Sequence, residues 1–314
     1  GFIFLQECVI EVNEFERKLI TSSETELTYS QLVISTGVTT DYSFVEGLKE
    51  YAYGFSNLND LLRIKELIAT IDISSKLTNP FVICGAGPTG VELACKLADL
   101  FDNRIEIYLV DKGSKILSRS KSFNRENAIN AISKRNIKIY LEHKIQGINK
   151  TSLEISTCDN EINSSLTTNY SGLILTAGST PDQPELIHKF LDKNDKVKVN
   201  NFLQMHAYKN IFFVGDITCS EDDPFPSSAQ AAIQQGVVVA QNIICLRQGK
   251  KLQSFEFEDL GEMLSLGIGN ASITGYGITL AGPLAFEIRR LAYLMPVPSF
   301  SISLRSAGSW LLSK

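Results

Sequence analysis

Residues 81–92 read Phe81-Val-Ile-Cys-Gly85-Ala-Gly87-Pro-Thr-Gly90-Val-Glu92, and the fold turns on how this stretch is understood. Four apolar residues between Pro80 and Gly85 make a short, unbroken run of the kind found in a strand buried on both faces. The glycines follow at the spacing G-x-G-x-x-G, and an apolar helical pattern occupies 90–101. In that setting each glycine has a task. Gly85 permits the tight turn, Gly87 lets backbone approach a pyrophosphate, and Gly90 lets the helix pack closely on the strand. Pro88 and Thr89 open the helix, whose unpaired N–H groups and partial positive charge face the phosphates. The next apolar strand, 105–110, runs into Asp111, where an acid accepts hydrogen bonds from an adenosine ribose. The stretch therefore predicts a dinucleotide site for NAD(P)H. Asp111 favours NADH slightly, whereas Lys112, Lys115 and Arg119 just beyond it are a solvated loop or a source of charge for a 2′-phosphate.

Outward from the loop, the pattern alternates between strand and helix. Leu58, Leu61, Leu62, Ile64, Leu67, Ile68 and Ile71 recur at helical spacing; a further helix is expected at 123–135 and a strand at 137–141. That order predicts an α/β fold with a parallel, doubly wound sheet. Residues 1–34 read instead as a β-meander, with strands at 2–12 and 18–21, a turn at 24–26, and the apolar Leu32-Val33-Ile34 running into a sheet. Short strands fill 145–170. Two more buried strands end on polar or glycine stops, at Leu173–Gly178 and Ile211–Asp216, and a long Ala- and Val-rich helix is expected at 230–246. Gly267-Ile-Gly269-Asn-Ala-Ser272 begins like a second Gly-rich loop but lacks the third glycine and reads as a turn between strands.

The 314 residues suffice for two domains of ordinary size, and 44% hydrophobic with 21% charged residues is a globular composition. A net charge of −5 gives no reason to expect nucleic acid as a partner. The six cysteines are scattered, with no C-x-x-C pair and no His spacing for a metal. They read as small buried hydrophobes, which points weakly to a reducing compartment. No secretory signal is visible, and no unbroken apolar run reaches the ~18 residues of a membrane span.

Taken together, four motifs resemble those of two-dinucleotide flavoproteins with a glutathione-reductase-like fold. Leu32-Val-Ile-Ser-Thr36-Gly37 is similar to their first T-G stop, and Leu173-Ile-Leu-Thr-Ala177-Gly178 to the second. The Gly85 loop with Glu92 is similar to their G-x-G-x-x-G-x-x-E signature, with one residue fewer before the acid. Ile211–Asp216 resembles the G-D motif, whose Gly215 and Asp216 positions contact FAD. Within that superfamily, Ala229-Gln230-Ala-Ala-Ile-Gln234 resembles the A-Q-x-A-x-Q stretch of type II NAD(P)H:quinone oxidoreductases. The tail from Leu260 to Leu312 resembles their plastid and cyanobacterial branch, which includes demethylphylloquinone reductases. The resemblance departs in one place. The family opens on a first G-x-G-x-x-G for FAD, and residues 1–84 hold only Gly1, Gly37, Gly47 and Gly54. The expectation is an N-terminally incomplete fold lacking roughly one βαβ unit of order ~80 residues.

The resemblance implies FAD as cofactor, NAD(P)H as hydride donor and a quinone as acceptor. It divides the chain into a partial FAD-binding domain at 1–48, an NAD(P)H-binding domain at 49–180, a return to the FAD domain at 181–250, and a quinone- and membrane-associated segment at 251–314. No dithiol is available to carry electrons onward. Glu92, Gln230 and Gln234 are the candidate catalytic residues: Glu92 toward the nicotinamide pocket, the glutamines toward a quinone carbonyl. The mixture of Phe286, Ile288, Leu291 and Tyr293 with Arg289, Arg290 and Arg305 suits a peripheral membrane anchor, which the resemblance implies lies on the cytoplasmic side of a thylakoid or plasma membrane. Two alternatives stay open: another flavin oxidoreductase such as a ferredoxin or monodehydroascorbate reductase, or a chain that binds NAD(P)H without flavin. Oligomeric state, a homodimer included, is also open.

Overall fold

Phe81–Cys84 lies inside a four-stranded parallel sheet because its neighbours are as apolar as it is. Gly172–Leu175 pairs with it on one side and Ile107–Asp111 on the other, with Ile137–Leu141 beyond. Strand alternation sends Phe81, Ile83, Ile107, Leu109 and Ile174 to one face, where Val91, Ala94, Cys95 and Ala98 of the helix Pro88–Leu100 cover them. Val82, Tyr108, Val110, Leu173 and Leu175 point to the other face, against Leu48, Ala52 and Ile145, Leu153 and Ile155 of an antiparallel sheet. Three layers result, and one outer layer is the antiparallel sheet where the strand–helix alternation predicts a second set of helices.

The computed structural model describes residues 1–71, 79–159, 164–220, 225–294 and 299–312. The chain forms two compact units, 1–39 with 179–259 and 40–178 with 260–314. The boundaries expected from sequence were 48/49, 180/181 and 250/251. The largest difference concerns the tail, which clusters with the Gly85 loop's unit from Leu260 onward. The physical cause is a buried polar network. Glu262 begins a three-stranded antiparallel sheet, Glu262–Ser265 with Ala271–Gly275 and Ile278–Gly282. Its carboxylate sits at the N-terminus of the helix Ser122–Ser133, accepting from Ser120 Oγ at 2.5 Å, Lys121 N at 3.2 Å and Asn124 Nδ2 at 2.8 Å. Asn124 Oδ1 then accepts from the hydroxyls of Ser272 and Thr274. An acid there complements the helix dipole and satisfies first-turn donors.

Gly267–Ser272 is the turn between strands that its sequence suggests. Gly267 has φ +108°, and a Cβ there would lie 2.3 Å from Asp99 Oδ2 and from Arg135 Nη2. Asp99 holds Arg135 through two bonds, at 2.7 and 3.0 Å, and accepts from Ile268 N. The turn is therefore clamped by an ion pair built on two helix ends.

In the other unit, Leu32–Ile34 pairs in parallel with Ile211–Phe213. Val9–Asn13, Lys18–Thr21 and Glu26–Thr28 form the expected antiparallel meander. The strand expected from residue 2 is shorter than its composition suggests. Val9 already faces Thr21, the last residue of its partner; Cys8 O still accepts from Ser22 N, but residues 2–7 pair with no strand among the described residues, and Phe2, Ile3 and Phe4 are exposed. The helix Ala229–Arg247 reaches the length and mean hydropathy of a membrane span despite having no unbroken apolar run. Its Gln235 and Asn242 are nonetheless buried and hydrogen-bonded within the unit. Of the cysteines, Cys95 is buried, four are half-buried and Cys8 is exposed, so the small-hydrophobe reading holds for fewer of them than expected.

Candidate functional site

The Gly85 loop has the geometry its glycines imply. Gly85 adopts φ +116°, where a Cβ would lie 2.7 Å from Thr176 Oγ1. At Gly90 a Cβ would stand 1.8 Å from the Gly85 carbonyl oxygen, so only glycine lets this helix approach its strand. Gly87 is different: nothing lies within 4 Å of an added Cβ. It is the N-cap of Pro88–Leu100, in extended backbone, with no side chain capping the helix N–H groups. The space and the donors are those a pyrophosphate requires.

Thr176-Ala177-Gly178 completes the loop from the adjacent strand. The Thr176 hydroxyl donates within reach of both the Cys84 and Gly85 carbonyls, at 3.0 and 3.2 Å, and Ala177 N donates to Cys84 O. Asp111 comes to the same place from the strand on the other side. Its Oδ2 accepts from Ala86 N at 2.6 Å and its Oδ1 from Gly113 N at 2.7 Å. Cys84, Gly85, Asp111, Ala177 and Gly178 thus share the wall of one cavity of about 330 Å³. Phe44, Lys112, His143 and Lys144 also line it, and sequence reasoning passed over Phe44 and His143 because they carry no motif. Burial pushes the Cys84 thiol up to about 11, so it is no nucleophile at neutral pH.

Thr89 and Glu92 face elsewhere. They line a larger cleft of about 990 Å³ between this helix and Pro283–Ala292. Glu92 is neither free nor a first-turn acid. Both its oxygens lie 3.2 Å from Arg289 Nη2, and Oε1 also accepts from Ser265 N at 2.8 Å. Burial raises its pKa above the ordinary carboxylate value, and Arg289 opposes that rise. Arg289 therefore turns inward, over the Tyr293 ring, while Leu284, Ile288 and Leu291 form the outer stripe of their helix and are exposed. Arg305 is exposed, and the side chain of Trp310 lies outside the described residues.

In the other unit, the two parallel strands end side by side, with Val214 N donating to Ile34 O. This brings Thr36-Gly37 next to Gly215-Asp216. Gly37 and Gly215 have φ of +70° and +82°, and Gly37 would meet nothing within 4 Å if given a Cβ. The Thr36 hydroxyl is buried without a hydrogen-bond partner among the described residues. An unsatisfied donor beside two glycine turns, at the carboxyl ends of parallel strands, fits the phosphate and ribityl end of a flavin dinucleotide.

The Gly215 turn is wired from the helix Ala229–Arg247. Ser228 caps that helix and Ala229 is its exposed first residue. Gln235, 1% exposed, accepts from Gly215 N at 2.6 Å and donates to Thr218 Oγ1 at 3.4 Å. Thr218 Oγ1 donates to Gly215 O, and Lys196 Nζ donates to the Asp216 carbonyl. Gln235 is a supporting residue that the sequence reading missed. Its signal was the helix phase, since Ala231, Gln235, Val239 and Asn242 form one buried stripe. Gln234, one of the expected pair, clasps Glu258 instead: Nε2 donates to its carbonyl at 2.9 Å and Oε1 accepts from its N–H at 3.0 Å. Gln230 is half-buried one turn earlier.

The sequence pattern of the pyridine nucleotide-disulphide oxidoreductase family matches residues 2–236. The chain belongs to that family, as its four motifs suggest. It is 31% identical to demethylphylloquinone reductase NdbB of Synechocystis sp., over 99% of this chain and 78% of that protein. It is 25% identical to the alternative NAD(P)H-ubiquinone oxidoreductase C1, chloroplastic/mitochondrial, of Arabidopsis thaliana, over 90% of this chain and 59% of that one. Among solved structures, NDH2 of Plasmodium falciparum in complex with NADH superposes with a TM-score of 0.86 at 17% identity, covering 98% of this chain and 83% of that one. The sulfide:quinone oxidoreductase of Aquifex aeolicus gives 0.73 at 17% identity, covering 91% of this chain and 72% of that one. The two-dinucleotide flavoprotein fold is thereby established.

Proposed function

We propose that the chain is an FAD-dependent NAD(P)H:quinone oxidoreductase of the type II kind. The observation that carries this is the open approach to Gly87 at an uncapped helix N-terminus, in a chain matched along almost its whole length by a quinone reductase. The Gly85–Gly90 loop holds the pyrophosphate of the donor, with Asp111, Ala177 and Gly178 at its ribose end. Bound FAD supplies the two-electron relay between nicotinamide and quinone. Thr36, Gly37, Gly215 and Asp216 are the residues that would hold it, with Gln235 fixing the turn that carries Asp216.

Glu92 is assigned to the nicotinamide end, where Arg289 fixes its carboxylate. Gln230 and Gln234 are assigned to the quinone end, Gln234 with its carbonyl oxygen and one amide hydrogen already committed to Glu258. The exposed stripe Leu284, Ile288 and Leu291 supports a peripheral seat on a membrane, where a lipid quinone would be met.

The test is NADH oxidation by the purified full-length protein supplied with FAD and a short-chain quinone. Quinone-dependent turnover with visible flavin bands is expected. Bound flavin that passes electrons to a ferredoxin or to monodehydroascorbate, but to no quinone, would make this a different flavin oxidoreductase.

A further inference from the structure

Asp111 is the residue expected to choose NADH, because a carboxylate accepts both ribose hydroxyls and repels a 2′-phosphate. Its surroundings argue otherwise. Each of its oxygens already takes a short backbone N–H bond, from Ala86 at 2.6 Å and Gly113 at 2.7 Å. These are charge-assisted bonds that tie the carboxylate to the loop turn and offset its charge. The other acid on the cavity wall, Asp41, is also turned to its own loop, accepting from the N–H and hydroxyl of Ser43 at 2.8 and 2.7 Å.

The cations are arranged differently. Lys112 follows the strand end that carries Asp111, and Lys144 arrives from the separate strand His143–Ile148, yet both line the same 330 Å³ cavity. Neither forms an ion pair with a carboxylate among the described residues. The Lys112 ammonium lies over the Phe44 ring, 5.7 Å from its centre, which holds it at the wall. Lys115 and Arg119, the other cations of this loop, are exposed and absent from the cavity wall. We propose that this cavity takes the 2′-phosphate of NADPH, with Lys112 and Lys144 as the residues that set the specificity. The inference rests on the Gly85 loop being the dinucleotide site, and it reverses the slight preference for NADH read from Asp111 alone.

The test is calorimetric titration of the chain with two fragments, 5′-AMP and 2′,5′-ADP, which differ only by the phosphate in question. Two charge-assisted contacts predict that 2′,5′-ADP binds about tenfold or more tighter. The double variant Lys112→Ala/Lys144→Ala should keep its affinity for 5′-AMP and lose the preference, and Lys115→Ala should retain it. If both fragments bind with equal affinity, or 5′-AMP binds tighter, the phosphate assignment is wrong while the dinucleotide site stands. A preference that survives in the double variant also overturns it. Binding of neither fragment overturns the dinucleotide site itself.

Discussion

Leu32–Gly37 and Leu173–Gly178 are near-copies in sequence, each a run of three apolar strand residues followed by two small residues and a glycine with positive φ. Their wiring differs. At the second, the Thr176 hydroxyl and the Ala177 N–H are spent on carbonyls of the Gly85 turn, so the stop is part of the loop's own scaffold. At the first, Thr36 occupies the place of Ala177, and its buried hydroxyl has no partner among the described residues. One stop builds a site and the other presents a donor to one. A shared motif therefore reports a shared backbone turn without reporting which groups remain available, and that has to be read from hydrogen-bond accounting.

The contrast can be broken hardest at Gly90. Gly90→Ala places a Cβ 1.8 Å from the Gly85 carbonyl oxygen and should destabilise its unit by about 3 kcal/mol or more. Denaturant unfolding measures this, and hydrogen exchange at Ile211–Phe213, in the other unit, should change far less. A loss below about 1 kcal/mol would mean the helix does not need its close approach. Asp111→Ser comes next. It strips acceptors from Ala86 N and Gly113 N and should cost about 2 kcal/mol, with weaker binding of both NADH and NADPH. Unchanged stability would show those bonds to be incidental. The direct comparison is smaller. Thr176→Val should cost about 1 kcal/mol, and Thr36→Val about zero, because only the first loses a made bond. Thr36→Val should weaken FAD binding, read by flavin fluorescence. Equal stability losses would erase the distinction between the two stops.

The least expected effect concerns Glu92. Burial holds its folded-state pKa above the ordinary value. A raised folded pKa contributes stability that is full below the ordinary carboxylate pKa and is lost as pH rises through the raised one. The stability of the native protein minus that of Glu92→Gln should therefore fall as pH rises out of the ordinary carboxylate range. A flat or rising difference would mean that Arg289 outweighs burial.

Much of this was legible in the sequence, for local reasons. The four strands of the Gly85 sheet and their helices carry continuous apolar runs and short-range spacing, and the glycines declare their own constraints. Residues 2–7 are as β-prone as a strand but pair with no strand among the described residues, which composition cannot show. Glu92 meets Arg289 from 197 residues away, and Glu262 reaches Asn124 from 138; no local pattern announces either contact, so the tail's attachment was unreadable. Gln234 and Gln235 are chemically identical neighbours, and only the buried phase of the helix separates the one that clasps Glu258 from the one that holds Gly215.

The central claim is that binding and folding are divided between two glycines three residues apart. Calorimetric titration of Gly87→Val with NADH, beside its melting curve, tests that division most directly. An added Cβ meets no protein atom within 4 Å, and the backbone there suits any residue. Melting should stay near that of the native chain while NADH binding is lost. A variant that melts unchanged and binds NADH with native affinity would contradict the assignment of this loop to the pyrophosphate.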